Sequence, residues 1–213
     1  IIDSNYYPVP KARRSNFRHR PMAIGVQGLH DVYMALGLPF ASDEAMELNR
    51  RIFATLYYAA IDASVTLAQR DGAYDSFAGS PASEGRLQPD LWGVEPHPMY
   101  DWNALRARVV EHGLRNSLLI GLMPTASSAT ILGNTECFEP ISSNLFVRRT
   151  LSGEYIQLNA HLVRALEERG LWDAAMRDAL VRARGSVQSI ERIPPDVRAV
   201  FRTAYELGMK CVI

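Results

Sequence analysis

Hydrophobic residues recur at helical spacing in the first third of the chain and again in its last third. Ser42 and Asp101 stand where helix N-caps are expected, because a side-chain oxygen can accept from the free N–H groups of a first turn. Gly37, Gly113 and Gly170 stand where helices should end, since glycine adopts the left-handed C-cap conformation at little cost. The pattern predicts helices over residues 29–36, 43–67, 102–112, 159–169, 172–183 and 195–211.

Two short apolar runs, residues 22–26 and 117–123, have a different character. Each is flanked by proline or glycine, and their length favours strands buried on both faces. Residues 1–20 are polar and basic, and two closely spaced prolines predict that no helix forms there. Residues 71–101 are rich in glycine, proline and serine and are predicted as a long loop. The order of these elements predicts an α/β fold.

The composition is that of an ordinary globular protein, with 213 residues, 47% of them hydrophobic and 22% charged. Because 23 basic residues balance 23 acidic ones, no polyanion-binding surface such as nucleic acid requires is indicated. No apolar run approaches the ~20 residues of a membrane span, and no signal peptide opens the chain. We therefore expect a cytoplasmic protein with neither nucleic acid nor membrane as a partner.

Both ends of the chain read like the interior of a domain. The sequence starts at Ile1 without a methionine, and residues 211–213 stop inside an apolar helical pattern that has no cap or polar tail. We expect residues 1–213 to form a single, incomplete domain of a larger protein.

Metal and disulfide chemistry are not indicated by the sequence. Cys137 and Cys211 lie far apart without a CxxC partner, so each is interpreted as a small, reduced hydrophobic residue. The histidines do not have the spacing of metal ligands either, and we predict no metal site. They stand at positions 19, 30, 97, 112 and 161.

The clearest chemical feature is the segment that follows the second apolar run. Pro124 turns the chain, and Thr125, Ala126, Ser127 and Ser128 open a predicted short helix. Free N–H groups at a helix start bind anions, and small hydroxyl residues allow close approach and add donors. The segment would suit a phosphate group without a lysine. By itself the pattern is a weak signal and is more typical of an ordinary serine or threonine helix cap.

A resemblance to a known family is carried by many short motifs spread over the whole chain. They are NYYPVP at 5–10, HRP at 19–21, GVQGL at 25–29, GLRNSLL at 113–119, MPTAS at 123–127, ILGN at 131–134, EP at 139–140, SN at 143–144, RR at 148–149, LSGE at 151–154, GLW at 170–172 and SVQSI at 186–190. On these residues the chain resembles the large, catalytic subunit of class I ribonucleotide reductases of the eukaryotic type.

The resemblance implies a fold and a site. The fold would be part of the second half of a ten-stranded α/β barrel. Pro124, Thr125, Ala126, Ser127 and Ser128 match the family's turn that holds the phosphates of a ribonucleoside diphosphate. The family usually carries Ala, Ser or Cys where this chain has Gly121, a change expected to loosen packing without removing a catalytic group.

The resemblance also implies what lies elsewhere in the parent enzyme. The family's radical cysteine, its reducing cysteine pair and its effector sites precede the matching segment, and neither cysteine of this chain matches a catalytic position. No catalytic residue and no cofactor are therefore assigned to this chain. The parent enzyme would use a radical from the small subunit and a thioredoxin- or glutaredoxin-type reductant. Its partners would be the ribonucleoside diphosphate, the remainder of the large subunit, the small subunit and a second large subunit in a homodimer.

Two hypotheses about function follow. In the first, the chain is part of a ribonucleoside-diphosphate reductase that makes 2′-deoxyribonucleoside diphosphates by thiyl-radical chemistry, and it would be inactive alone. In the second, it is a non-catalytic nucleotide-binding or interaction module from a split or degenerate reductase gene. The coding sequence upstream of Ile1 would separate the two hypotheses.

Overall fold

A computed structural model describes residues 1–208 and 210, and leaves the side chains of Arg148 and Thr150 undescribed. Two strands, β1 (Leu145–Thr150) and β2 (Gly153–Leu158), pair antiparallel in a hairpin joined by two residues. The α-helices are α1 (Pro10–His19), α2 (Leu29–Leu36), α3 (Asp43–Asp71), α4 (Gln88–Trp92), α5 (Trp102–His112), α6 (Ala126–Leu132), α7 (Ala160–Glu167), α8 (Ala174–Arg182) and α9 (Pro195–Val200), with 3-10 turns at Pro81–Glu84 and Ala204–Glu206.

The described chain divides into two compact units. The first comprises Ile1–Gly25 and Leu48–Leu122, and the second comprises Val26–Glu47 and Met123–Ile213. Helix α3 reaches Asp71, beyond the predicted end at residue 67. Neither α3 nor any other helix of the described residues is apolar over a length that could cross a membrane.

The core of the first unit lies between α3 and α5. The predicted cap is confirmed, because the Asp101 carboxylate accepts from the Ala104 N–H at 2.9 Å. Trp102 is 6% exposed and meets Tyr58 edge-on, while Tyr58 stacks on Tyr100. The other buried side chains of this core are Ala60, Ile61, Val65, Tyr74, Leu87, Leu105, Val109, Leu114 and Leu119.

Gly121 of the first unit faces Ala23 closely. A Cβ added at Gly121 would stand 2.8 Å from the Cβ of Ala23, well inside van der Waals contact. The space that an alanine methyl would take is therefore filled by the methyl of Ala23. The packing around Gly121 is therefore not loosened, contrary to the expectation drawn from the family resemblance.

The core of the second unit is formed by α2, α7, α8 and α9, with Leu166, Met176, Leu180 and Ile193 fully buried. Asn144 is also fully buried and holds three segments together. Its Nδ2 donates to the carbonyls of Gly185 and Phe201, and its Oδ1 accepts from Asn159 Nδ2 at 2.8 Å.

The prediction that residues 1–20 contain no helix is wrong. Pro10 occupies the first position of α1, where its missing N–H would have no helical partner anyway. Arg20, which directly follows α1, is buried and forms a bidentate ion pair with Asp3.

The two apolar runs of the first unit do not form regular strands. They pair through one parallel bridge between Ile24 and Ile120. Met22 N–H donates to Leu118 and Ile24 N–H to Leu119, so two residues of one run match a single step of the other. A ladder cannot propagate through such a register shift, because parallel pairing requires equal steps on both sides.

The predicted helix over residues 195–211 ends early. Beyond Val200, the carbonyl of Phe201 accepts from Asn144, and Ala204 N–H donates to Ile141, so these groups are unavailable to a helix. Cys211 lies outside the described residues. The sequence analysis did not predict the hairpin of β1 and β2. Apolar and β-branched residues on both sides of the connecting residues, Leu151 and Ser152, are nevertheless typical of a hairpin.

Candidate functional site

The predicted phosphate segment, residues 124–128, forms the start of α6 in the second unit. Thr125 is the N-cap residue, and its carbonyl accepts from Ala129 N–H at 2.7 Å. Ahead of that bond, the backbone N–H groups of Ala126, Ser127 and Ser128 have no acceptor among the described residues, as expected for the first turn of a helix. The chain therefore presents three consecutive free donors. We call residues 124–128 the phosphate turn.

The side chains of the phosphate turn are open to solvent. Pro124, Ala126, Ser127 and Ser128 are exposed, whereas Ala129, one residue further on, is 1% exposed. Within the described chain, neither serine hydroxyl forms a hydrogen bond that would occupy it. Five donors, three from the backbone and two from hydroxyls, thus belong to three neighbouring residues, and the short side chain of Ala126 leaves them accessible.

Thr125 has a second function within the turn. Its hydroxyl does not cap α6 and instead accepts from the Cys137 N–H at 2.9 Å. The hydroxyl proton of Thr125 stays free to donate to a ligand. The hydrogen bond from Cys137 thus fixes the position of Thr125, and no described residue accepts the hydroxyl proton of Thr125.

Residues 135–137, which we call the supporting segment, are held by the start of α2. Gly28 N–H donates to the carbonyl of Thr135 at 2.9 Å, and Leu29 N–H donates to that of Cys137 at 3.5 Å. The carboxylate of Asp31 accepts from both the N–H and the hydroxyl of Thr135, each at 2.6 Å.

His161, the second residue of α7, completes this arrangement. Its Nε2 lies 3.2 Å from the other carboxylate oxygen of Asp31, and both side chains are largely buried. Neither Asp31 nor His161 could be assigned to the site from the sequence, because Asp31 lies 104 positions from Thr135 and 130 from His161. The sequence indicated only that the neighbouring stretches are typical of the family, because the GVQGL motif lies just before Asp31 and the ILGN motif just before Thr135.

The neighbouring His30 is fully buried and also holds the chain beyond the supporting segment. Its Nδ1 accepts from the Ile141 N–H at 2.8 Å, which requires an unprotonated Nδ1. Burial disfavours the charged ring and lowers the pKa of His30 to about 4, although Asp31 opposes this shift. His30 is therefore neutral at physiological pH.

Two other residues noted in the sequence, Arg149 and Cys137, have interactions typical of structural residues. Arg149 pairs with Glu154 across the hairpin at 2.6 Å, and both are exposed. Cys137 is buried, in keeping with its interpretation as a small hydrophobic residue. Among the residues that the structure describes, no three His, Cys, Asp or Glu side chains come together in a way that could hold a metal ion.

The chain belongs to the ribonucleotide reductase barrel-domain family, whose model matches residues 1–213. It is 51% identical over its full length to the ribonucleoside-diphosphate reductase large chain 2 of Saccharomyces cerevisiae and covers 24% of that protein. It is also 51% identical to the large subunit of Caenorhabditis elegans and covers 27% of it. The chain thus spans about a quarter of the length of these relatives.

A solved structure agrees with this assignment. The class Id ribonucleotide reductase alpha subunit of Actinobacillus ureae superposes on 99% of this chain with a TM-score of 0.73 and 28% identity, and this chain covers 33% of it. The resemblance drawn from the motifs and the predicted fold class, α/β and part of the reductase barrel, are confirmed.

Proposed function

We propose that this chain is part of the large subunit of a ribonucleoside-diphosphate reductase, and that its phosphate turn binds the phosphates of the substrate. The reaction would reduce ribonucleoside diphosphates to 2′-deoxyribonucleoside diphosphates. Two kinds of support converge: relatives about half identical over the full chain are named for this activity, and the motif that carries the resemblance at residues 123–127 coincides with the free donors at the start of α6.

The observation that carries the proposal is the cluster of free N–H groups on Ala126, Ser127 and Ser128. Hydrogen bonds from such donors to a charged phosphate oxygen are shorter and stronger than neutral ones. The serine hydroxyls add two donors, and the partial positive charge of the helix start adds a small attraction. Since the turn contains neither lysine nor arginine, binding depends on geometry, and a diphosphate that reaches several donors at once gains most.

The chain's own residues would bind and orient the substrate without taking part in the chemistry. In the parent enzyme a radical from the small subunit and a thioredoxin- or glutaredoxin-type protein would supply the redox chemistry. We assign no catalytic residue and no cofactor to residues 1–213. The remainder of the large subunit would complete the single domain to which this chain contributes.

The proposed partners follow from the same assignment. They are the ribonucleoside diphosphate, the small subunit and a second large subunit in a homodimer, and the reaction is placed in the cytoplasm. Neither nucleic acid nor a membrane is among the proposed partners, in keeping with the balanced charge of the chain.

The test is a bulky substitution at Ala126 in the full-length large subunit. Ala126→Leu would place a branched side chain beside the free N–H groups and block the approach of a phosphate. We expect binding of a ribonucleoside diphosphate, measured by calorimetry, to weaken by at least about tenfold, the loss of one or two charge-assisted hydrogen bonds. Binding of the corresponding nucleoside should change little.

The matched control is Ala174→Leu, which makes the same change at the exposed first position of α8. This variant should bind the diphosphate as the unmodified protein does. Equal affinity of the Ala126→Leu and unmodified proteins for the diphosphate would remove the phosphate turn from the binding site.

A further inference from the structure

We infer that Asp31 is a positioning residue for substrate binding, acting on the phosphate turn through the supporting segment. This inference rests on the proposed function of the phosphate turn. Asp31 binds Thr135, and Cys137, two residues on, binds Thr125. Two hydrogen-bonded links, connected by the backbone of residues 135–137, therefore join the start of α2 to the N-cap residue of α6.

Asp31 is well suited to fix a backbone position. One carboxylate oxygen accepts from both the N–H and the hydroxyl of Thr135, each at 2.6 Å. Charge-assisted bonds of this kind are about twice as strong as neutral ones. Only about a fifth of the Asp31 side chain is exposed, so solvent screens these bonds less than it would on the surface. The carboxylate thus holds Thr135 at two points.

The backbone of Cys137 shows that the supporting segment is constrained. Its φ of 46° lies in the left-handed region, which is strained for a residue with a side chain. Such a conformation persists only where the surroundings impose it. Here the Cys137 N–H is bound to Thr125 and its carbonyl to Leu29, and Thr135 is bound to Asp31. These bonds hold the strained backbone in place and so keep the Cys137 N–H directed at Thr125.

His161 holds the other oxygen of Asp31. Its Nε2 lies 3.2 Å from Oδ1, so the carboxylate is restrained from both sides and cannot rotate away from Thr135. His161 follows Asn159, whose side chain accepts from the N–H groups of His161 and Leu162 at the start of α7. The position of Asp31 is therefore set by the first turn of another helix.

The consequence for binding is preorganisation. A phosphate must meet the three N–H groups of α6 together, and a turn that is already fixed loses less conformational entropy when it binds. If Asp31 is removed, the supporting segment can relax from the strained backbone, and the anchor of Thr125 moves with it. The donors of the phosphate turn are then present but no longer aligned.

The experiment compares Asp31→Ala and Asp31→Asn in the full-length large subunit. Alanine removes every bond to Thr135. Asparagine can accept from Thr135 through its single oxygen and donate through its amide to His161 Nε2, once the neutral ring carries its proton on Nδ1, so it should restore most of the function. We expect Asp31→Ala to weaken binding of a ribonucleoside diphosphate about tenfold, with the nucleoside bound as before. The KM for the diphosphate should rise by a similar factor, and kcat at saturating substrate should change less.

A second measurement reads the supporting segment itself. Cys137 is 3% exposed, and alkylation of its thiol can be followed by mass spectrometry of the peptide that contains it. Release of the segment in Asp31→Ala should speed this alkylation several-fold below the melting temperature, while Asp31→Asn stays close to the unmodified protein. This readout also covers the case in which the alanine variant is unstable, because the comparison can then use Thr135→Val, which removes only the hydroxyl.

The outcomes separate the inference from the proposed function. If Ala126→Leu weakens diphosphate binding and Asp31→Ala leaves it unchanged, the phosphate turn binds substrate and Asp31 does not position it. If Asp31→Ala weakens diphosphate and nucleoside binding equally, its role is general stability and the inference is overturned. If Ala126→Leu has no effect, the proposed function fails and the inference with it. Selective loss in Asp31→Ala with recovery in Asp31→Asn supports both.

Discussion

Gly121→Ala is the change whose effect can be worked out most directly from the structure. The added Cβ would stand 2.8 Å from the Cβ of Ala23, a distance that real Cβ atoms essentially never show. The two runs that carry these residues are joined by backbone hydrogen bonds from Ile24 to Leu119 and from Gly121 to Ile24. Relief of the overlap must therefore separate these bonds or distort them.

The magnitude follows from two opposing effects. Overpacking of this kind costs about 1–3 kcal/mol. The backbone of Gly121 is not in the left-handed region, so alanine gains about 0.4–1 kcal/mol by restricting the unfolded chain. The difference is a net destabilisation of at most about 2.6 kcal/mol, with a midpoint of about 1.3 kcal/mol. Removing the opposing methyl with Ala23→Gly should relieve the overlap, so the double variant should be more stable than Gly121→Ala alone.

The assay is hydrogen exchange of the peptides that contain Ile24 and Gly121, measured in the full-length subunit because exchange reports local opening. A loss of about 1.4 kcal/mol lowers protection about tenfold. Gly208→Ala is the control, since a Cβ there would meet no described residue within 4 Å. Unchanged protection in Gly121→Ala, or no recovery in the double variant, would refute the reasoning.

Two further predictions concern the second unit. Burial lowers the pKa of His30 to about 4, so the unfolded chain binds a proton at this ring more readily than the folded chain does. The free energy of unfolding should therefore fall as the pH drops from about 6.5 to 4, by a total on the order of 3 kcal/mol. His30→Asn, which keeps an acceptor for Ile141 but does not titrate, should flatten the melting temperature over this range, and an unchanged slope would contradict the assignment. Asn144→Ala leaves the carbonyls of Gly185 and Phe201 without their donor and should cost about 2–4 kcal/mol in denaturant unfolding, whereas a loss below about 1 kcal/mol would show that the network is dispensable.

Local signals in the sequence predicted the helices whose ends they mark. Helix α2 ends at Leu36 before Gly37, and α5 begins after the Asp101 cap, because caps act on neighbouring residues. Local reasoning failed where a distant segment decides the outcome. The carbonyl of Phe201 accepts from Asn144, and α9 ends at Val200 instead of at the predicted residue 211.

The phosphate turn could be predicted from local sequence, whereas its support by Asp31 depends on a distant segment. Proline, small residues and hydroxyls in sequence pointed to residues 124–128, and the family resemblance gave them a ligand. The Asp31–Thr135 bond joins positions 104 apart, and neither residue belongs to a motif that carries the family resemblance, although the GVQGL and ILGN motifs lie beside them. The contribution of Asp31 becomes visible only when the folded chain brings it to the supporting segment.

The central claim is that the N–H groups of Ala126, Ser127 and Ser128 bind the phosphates of a ribonucleoside diphosphate. The direct measurement is millisecond hydrogen exchange at these three groups in the full-length subunit, with and without ligand. Because they have no acceptor among the described residues, they should exchange rapidly without ligand and at least about tenfold more slowly with a saturating ribonucleoside diphosphate. The corresponding nucleoside should give no such protection. Exchange at residues 126–128 that stays equally fast with the diphosphate bound would contradict the claim.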